Sequence, residues 1–174
     1  KQRDVGYYPK EIGNIAAIDF GGFDKRIATT EFVTICDVTN PFYGPNGATY
    51  VYGPQKGVTE ALRESIDKMF QSYNAVVLKT TGIDMQQRSG TGAGGGIGGA
   101  AQVFLGAQMQ TGADWMIDYL GLEKAIAEAD LIITGEGKTD SQTLHDKLPM
   151  RIGLLAKKYG KRAIVISGDK SLDR

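Results

Sequence analysis

The sequence predicts an α/β fold, a parallel or mixed sheet with helices on both faces. Three observations carry that prediction. Residues 32–38 (FVTICDV), 131–134 (LIIT) and 162–166 (RAIVI) are short apolar runs rich in β-branched side chains, the signature of strands buried on both faces. Between them, apolar residues recur at helical spacing. The stretch 131–166 then has the order and length of a strand, a crossover helix and a second parallel strand.

The first strand ends at Asn40-Pro41, a turn signal. Val58, Leu62, Ile66, Met69, Phe70 and Tyr73 fall at helical spacing, with Thr59 at the cap position and Glu60 in the first turn, where a carboxylate meets the positive end of the helix. Further helices are expected over 96–107, 115–120 and 122–129. The strand at 131–134 stops at Gly135-Glu136-Gly137. Pro149 opens a helix carrying Ile152, Leu155, Ala156 and Tyr159, which Gly160 terminates. The last strand runs into Ser167-Gly168-Asp169.

The 174 residues suffice for one domain with a real core or for two small lobes, and 41% hydrophobic content is ordinary for a globular protein. Twenty Lys and Arg balance twenty Asp and Glu, which removes the positive field a nucleic-acid binder needs. A small-molecule role is favoured. The single cysteine, Cys36, allows no internal disulfide and suits a reducing cytoplasm. No apolar stretch reaches the length of a membrane span. The polar opening, KQRDVGYYPKEIG, has neither an initiator Met nor a signal-peptide pattern, so the chain is expected to be a piece of a longer protein.

Residues 89–99, SGTGAGGGIGG, form the densest glycine run. Glycine has no Cβ, so successive N–H groups can turn toward one anion, and a helix starting in the run adds free donors and a positive dipole end. A polyphosphate fits that chemistry. A flexible linker or a tight helix crossing also needs small residues, and the run alone leaves both readings open. It is not a Walker loop, because no Lys-Ser or Lys-Thr follows at the required spacing, and a GxGxxG reading lacks a leading strand and an acidic ribose ligand.

Ligands of open α/β sheets sit beyond the carboxyl ends of strands, a rule that gathers Asp37, Asn40, Glu136, Lys138, Asp140 and Ser167 as candidates for one cleft. Residues 36–57 hold Asp, Asn, Tyr and Lys among turn-forming Pro and Gly, as a binding loop or as a surface Ω-loop. Residues 135–147 place acids, a base and hydroxyls directly after a strand. Magnesium and phosphate handling requires that set, and a solvated connection with Ser141 or Thr143 capping a helix shares its composition. His145 is the sole histidine, so a typical zinc set is absent, and Cys36 reads as a small hydrophobe within its strand.

Three stretches, residues 36–57 (CDVTNPFYGPNGATYVYGPQKG), 90–107 (GTGAGGGIGGAAQVFLGA) and 133–149 (ITGEGKTDSQTLHDKLP), resemble the signatures of the bacterial glycerate kinase family, in family order. The similarity covers residues 11–168. It implies transfer of the ATP γ-phosphate to D-glycerate, with 2-phosphoglycerate as product, in a fold of two α/β domains with the active site between them. It also implies that residues 1–174 are the central segment of a longer enzyme. The missing N-terminal portion would carry Ser-Lys-Gly and Asp-Gly-Gly-Glu-Gly stretches, and the missing C-terminal portion would complete the sheet. Three positions depart from the family pattern: Asp146 stands for Gly, Lys138 for Arg, and Gly90-Thr91-Gly92 for Gly-Ala-Gly. Lysine keeps the charge of arginine without its two-pronged geometry, and Asp146 puts a negative charge beside His145.

Phosphoryl transfer asks for a phosphate cradle, Mg²⁺ on the phosphate oxygens, and a group that orients the acceptor hydroxyl and takes its proton. The residues and the resemblance together assign the cradle to Gly92, Gly94, Gly95 and Gly96, with Lys56 or Lys138 as charge partners. Asp37 is the expected general base, since it leaves a strand into a polar loop. Glu136 and Asp140 are candidates for catalysis and Mg²⁺, and Asn40, Ser141 and His145 for substrate contacts. The expected ligands are ATP, Mg²⁺ and D-glycerate, in a cytoplasmic protein without nucleic-acid or membrane partners, and the segment alone is expected to be inactive. The alternatives are an α/β domain that binds a nucleotide or sugar acid without catalysis, and a structural domain.

Overall fold

In the computed structural model, residues 9–139 and 148–170 are described. The chain divides into two compact units, Lys1–Gln110 and Thr111–Arg174.

The first unit opens with two 3-10 turns, Pro9–Asn14 and Lys25–Thr29. Strand β1 (Val33–Ile35) pairs in parallel with β2 (Gln108–Gln110), Thr34 opposite Met109. The long connection between them holds α1 (Ala48–Tyr52), a 3-10 turn at Pro54–Lys56, α2 (Glu60–Thr81) and α3 (Ala93–Phe104). Thr59 sits at the cap of α2 without a side-chain cap bond, and Gly82 ends the helix at φ 73, its N–H donating to Leu78 O. Phe42, Val77 and Met85 form the core, with Phe70, Tyr73, Val103 and Phe104 packed around them. The Phe42 and Phe70 rings lie 4.8 Å apart, within the range where aromatic pairs add to simple burial.

The second unit contains α4 (Gly112–Tyr119), α5 (Leu122–Glu128), β3 (Leu131–Thr139), α6 (Leu148–Lys158) and β4 (Arg162–Lys170). Thr111 caps α4 by accepting from Asp114 N–H. Strands β3 and β4 are parallel, Ile133 opposite Ile164, with α6 as the crossover, so the anticipated strand-helix-strand unit is present. Lys161 N–H donates to Ala156 O at 2.8 Å across the left-handed Gly160, which stops α6 where the sequence predicts. Ile117, Ile126, Ile132, Ile152 and Ala156 form this unit's core.

The α/β class therefore stands, in the form of two separate two-stranded parallel sheets. The strands are less buried than their composition predicts. Ile133 and Ile166 are each 63% exposed, because among the described residues of the second unit the helices cover Ile132's face of β3 and none covers the other, and Ile35 on β1 is 49% exposed. Strand β3 also continues through Gly135-Glu136-Gly137, because β4 runs alongside with Glu136 opposite Ser167. Strand β1 is shorter than the apolar run 32–38, since β2 offers only three partners. No helix among the described residues is long and apolar enough to cross a membrane.

Candidate functional site

In the first unit, the segment leaving β1 meets the glycine run backbone to backbone. Gly92 N–H donates to Asn40 O at 2.9 Å. A Cβ on Gly92 would fall 2.2 Å from Pro41 O, and one on Gly90 would fall 3.1 Å from Val38 O. A residue other than glycine at position 92 would therefore separate these segments. The Cys36 thiol, half-buried, donates to Val38 O at 3.2 Å, so it serves local structure. Asp37 lies exposed between these two residues, beyond the carboxyl end of β1, where α/β sheets place their ligands.

Asn40 is engaged at both ends of its amide. Its Nδ2 donates to Asn46 O at 2.8 Å, and its Oδ1 accepts from the Tyr52 hydroxyl at 2.6 Å. Burial, and then the neighbouring Cys36, push the Tyr52 pKa up, which keeps that hydroxyl a donor. The loop is also gripped from α2 and from the turn Met85–Gln87: Asp67 accepts from Gly44 N–H at 2.8 Å, and Gln86 bonds the main chain of Tyr43. Asn40 acts as a brace for the 40–46 loop.

The glycines divide into two groups. Gly96 would place a Cβ 2.9 Å from the Phe42 ring, Gly98 2.2 Å from Gly90 O, and Gly99 2.9 Å from the Met85 sulfur. With Gly92, these are close-packing positions, as a tight crossing requires. Gly94 and Gly95 are different. Both have left-handed backbones (φ 62 and 79) with no core atom against them, and a Cβ on Gly95 would stand 3.2 Å from Lys56 Nζ. The Gly95 and Gly96 N–H groups share Gly92 O through long bonds of 3.2 and 3.3 Å. Of the run, the Gly94-Gly95 turn is the part not packed against the core, and the Lys56 ammonium lies beside it. Lys56 ends the 3-10 turn Pro54–Lys56, and Gly57 (φ 87) follows it.

The second unit holds the other candidates. Glu136 is half-buried within β3, and by strand alternation it shares the face of Lys138 and Ile132. Lys138 Nζ lies 3.7 Å from Asp169 Oδ2 on β4. Lys138 thus faces a partner on the neighbouring strand, and within the first unit the Lys56 ammonium lies beside Gly95. Asp140, Ser141 and His145 lie outside the described residues. Among the described residues, no three His, Cys, Asp or Glu gather as metal ligands. Mg²⁺ carried on a nucleotide needs one or two protein carboxylates, a demand that Glu136 with Asp140 fits by chemistry.

Sequence reasoning missed Tyr52, Asp67, Asn74 and Gln86. Asp67 and Asn74 left a readable signal: both are buried polar residues seven apart on α2, on the stripe that also carries Phe70 and Val77. Gln86 left none, since its partner is 43 residues away.

The model of the family described as "Glycerate kinase family" matches residues 1–174. The chain is 38% identical over 170 residues to the glycerate 2-kinase of Escherichia coli (strain K12), covering 98% of this chain and 45% of that protein. It is 37% identical to the glycerate kinase of Bacillus subtilis (strain 168), covering 98% of this chain and 44% of the relative. A crystal structure assigned to glycerate kinase 2 from Salmonella typhimurium LT2 superposes with a TM-score of 0.84 at 40% identity, covering 95% of this chain and 44% of that one. The chain thus spans less than half the length of these relatives.

Proposed function

The chain belongs to the glycerate kinase family, and from that premise we propose that the complete protein transfers the γ-phosphoryl group of ATP to D-glycerate, releasing ADP and 2-phosphoglycerate. The observation that carries this reading is the Lys56 ammonium beside the left-handed Gly94-Gly95 turn, in a segment bonded through Gly92 to Asn40, three residues beyond Asp37. A cation at a turn without side chains is a place where phosphate oxygens can approach the backbone closely.

In this reading Lys56, Gly94 and Gly95 hold the phosphate chain, and Gly92 and Gly96 fix the turn from behind. Asp37 orients the glycerate hydroxyl and takes its proton as that oxygen bonds to phosphorus and the bond to ADP breaks. Ser141 and His145 are assigned to the acceptor, and Glu136 and Asp140 would hold Mg²⁺. When bound, that ion offsets the charge on the transferring group. ATP as donor and a single thiol suit a cytoplasmic protein. Because the relatives are more than twice as long, the activity is assigned to the complete protein, and the segment alone is expected to be inactive.

The test is ADP release by the complete protein with and without D-glycerate, followed by phosphorus NMR of the product. Glycerate-dependent ADP release with a 2-phosphoglycerate resonance supports the reading. No dependence on glycerate overturns it, and a 3-phosphoglycerate product overturns the assignment of the hydroxyl.

A further inference from the structure

We propose that Gln86 is a positioning residue that fixes the acceptor loop relative to the phosphate turn, an inference that rests on the phosphoryl-transfer reading above. Its carboxamide pairs with the Tyr43 main chain as a neighbouring strand would. Gln86 Oε1 accepts from Tyr43 N–H at 3.1 Å, and Gln86 Nε2 donates to Tyr43 O at 3.1 Å. Two bonds from one planar group set orientation as well as distance, which a single bond does not.

The turn that carries Gln86 is fixed on both sides. Asp84 Oδ1 accepts from Gln86 N–H at 2.9 Å and from Asn74 Nδ2 at 2.8 Å, and Asn74 Oδ1 accepts from Met85 N–H at 3.0 Å. Asn74 is 4% exposed on α2, so this anchor is shielded from water. On the other side, the Thr91 hydroxyl, fully buried, donates to Met85 O at 2.9 Å, and the next residue, Gly92, bonds Asn40 O. Tyr43, Gln86, Met85, Thr91, Gly92 and Asn40 thereby close a ring of bonds. That ring contains the acceptor loop on one side and the start of the glycine turn on the other.

Loosening the ring changes the distance between Asp37 and the Gly94-Gly95 turn while leaving each ligand's own contacts in place. A misplacement of about 1 Å at a reacting centre costs on the order of 10²-fold in rate, so the loss falls on kcat and not on nucleotide affinity.

Gln86→Ala and Gln86→Glu in the complete protein test this. Gln86→Ala is expected to lower kcat roughly tenfold or more, with the ATP KM within about twofold of the parent, and to speed amide exchange at Tyr43 and Gly44. Gln86→Glu gives a sharper signature. Ionised, the new carboxylate has no donor for Tyr43 O; protonated, it reproduces the donor and acceptor pattern of the amide. Its kcat relative to the parent should therefore recover as pH falls through the ordinary glutamate value of about 4.3. Parental kcat and exchange in Gln86→Ala overturn the proposal, as does a loss in Gln86→Glu that stays constant with pH. If the parent shows no glycerate-dependent turnover, the functional reading fails instead. Exchange at Tyr43 then tests the clamp by itself, and unchanged exchange overturns it too.

Discussion

The Tyr52 hydroxyl donates to Asn40 Oδ1 at 2.6 Å while Asn40 Nδ2 donates to Asn46 O at 2.8 Å, so one amide joins α1 to both ends of the 40–46 loop. Since Gly92 N–H also binds Asn40 O, the residue ties three segments together. A residue used in this way fixes the loop, with both ends of its amide already engaged.

Tyr52→Phe removes one donor from a partly buried pair and should cost about 1 kcal/mol. Asn40→Asp should cost more, about 1–3 kcal/mol, because Asn46 O loses its partner and a carboxylate is brought against it. Equilibrium denaturation of both variants checks the order, and equal small losses would remove Asn40 as a brace.

The two groups of glycines should separate by assay. Gly99→Ala pushes a methyl toward the Met85 sulfur and Phe42, so it should lower Tm with little change in ATP KM, overpacking typically costing about 1–3 kcal/mol. Gly95→Val faces Lys56 instead of the core. It should raise the ATP KM strongly, with a stability loss of about 1–3 kcal/mol from its left-handed backbone. If Gly95→Val leaves the ATP KM unchanged, the run is a packing device throughout.

Lys56→Met keeps most of the unbranched stem and removes the charge. Loss of a charge-assisted contact worth about 1.5–3 kcal/mol predicts an ATP KM raised by roughly tenfold to 10², with circular dichroism unchanged. Lys138→Met, by contrast, removes an exposed pair with Asp169 and should leave the ATP KM where it was.

What the sequence revealed follows the range of the signal. Helix α2 was legible because its apolar stripe is long and bounded by Thr59 and Gly82. Strand β2, three residues reading Gln-Met-Gln, carries no β-branched residue and is defined by its partner β1. Helix α1 hides inside a turn-rich loop, since its five residues lie between Gly47 and Gly53. The glycines at 135 and 137 read as a stop, yet pairing with β4 carries the strand past them. That the Lys56 ammonium lies beside Gly95 was not legible, because the two residues are far apart in sequence and only the fold brings them together.

Acid should weaken the contact between α5 and α6. Lys158 Nζ and the Tyr159 hydroxyl both bond Glu123 Oε1, at 2.5 and 2.7 Å. The Lys158 bond first, and the Tyr159 bond second, hold the Glu123 carboxyl below its ordinary value. The folded state then binds the proton more weakly than the unfolded one, so the contribution is present above the unfolded glutamate value and lost as pH falls through the depressed one. Lys158 is raised, chiefly by the same bond, so its share is present below the unfolded lysine value and lost as pH rises through the raised one. Both groups are exposed, which keeps the effect small. Amide protection at the end of α6, taken relative to the intrinsic exchange rate at each pH, should fall in acid, and Glu123→Gln should abolish that dependence.

In the proposed reaction Asp37 takes the proton of the acceptor hydroxyl. Its neighbours are held, Cys36 by the thiol bond to Val38 O and by the backbone bond of its N–H to Gln110 O at 2.8 Å, and Val38 by its carbonyl against Gly90. The proposal places the acceptor hydroxyl against this carboxylate, on a held segment beyond the carboxyl end of β1. Asp37→Asn keeps the size and most of the hydrogen bonding and removes the proton acceptor. In the complete protein kcat should fall by about 10² or more, the usual scale for loss of a general base, with the ATP KM little changed. A kcat that holds while only the magnesium requirement shifts would make Asp37 a metal ligand and move the base to Glu136 or Asp140.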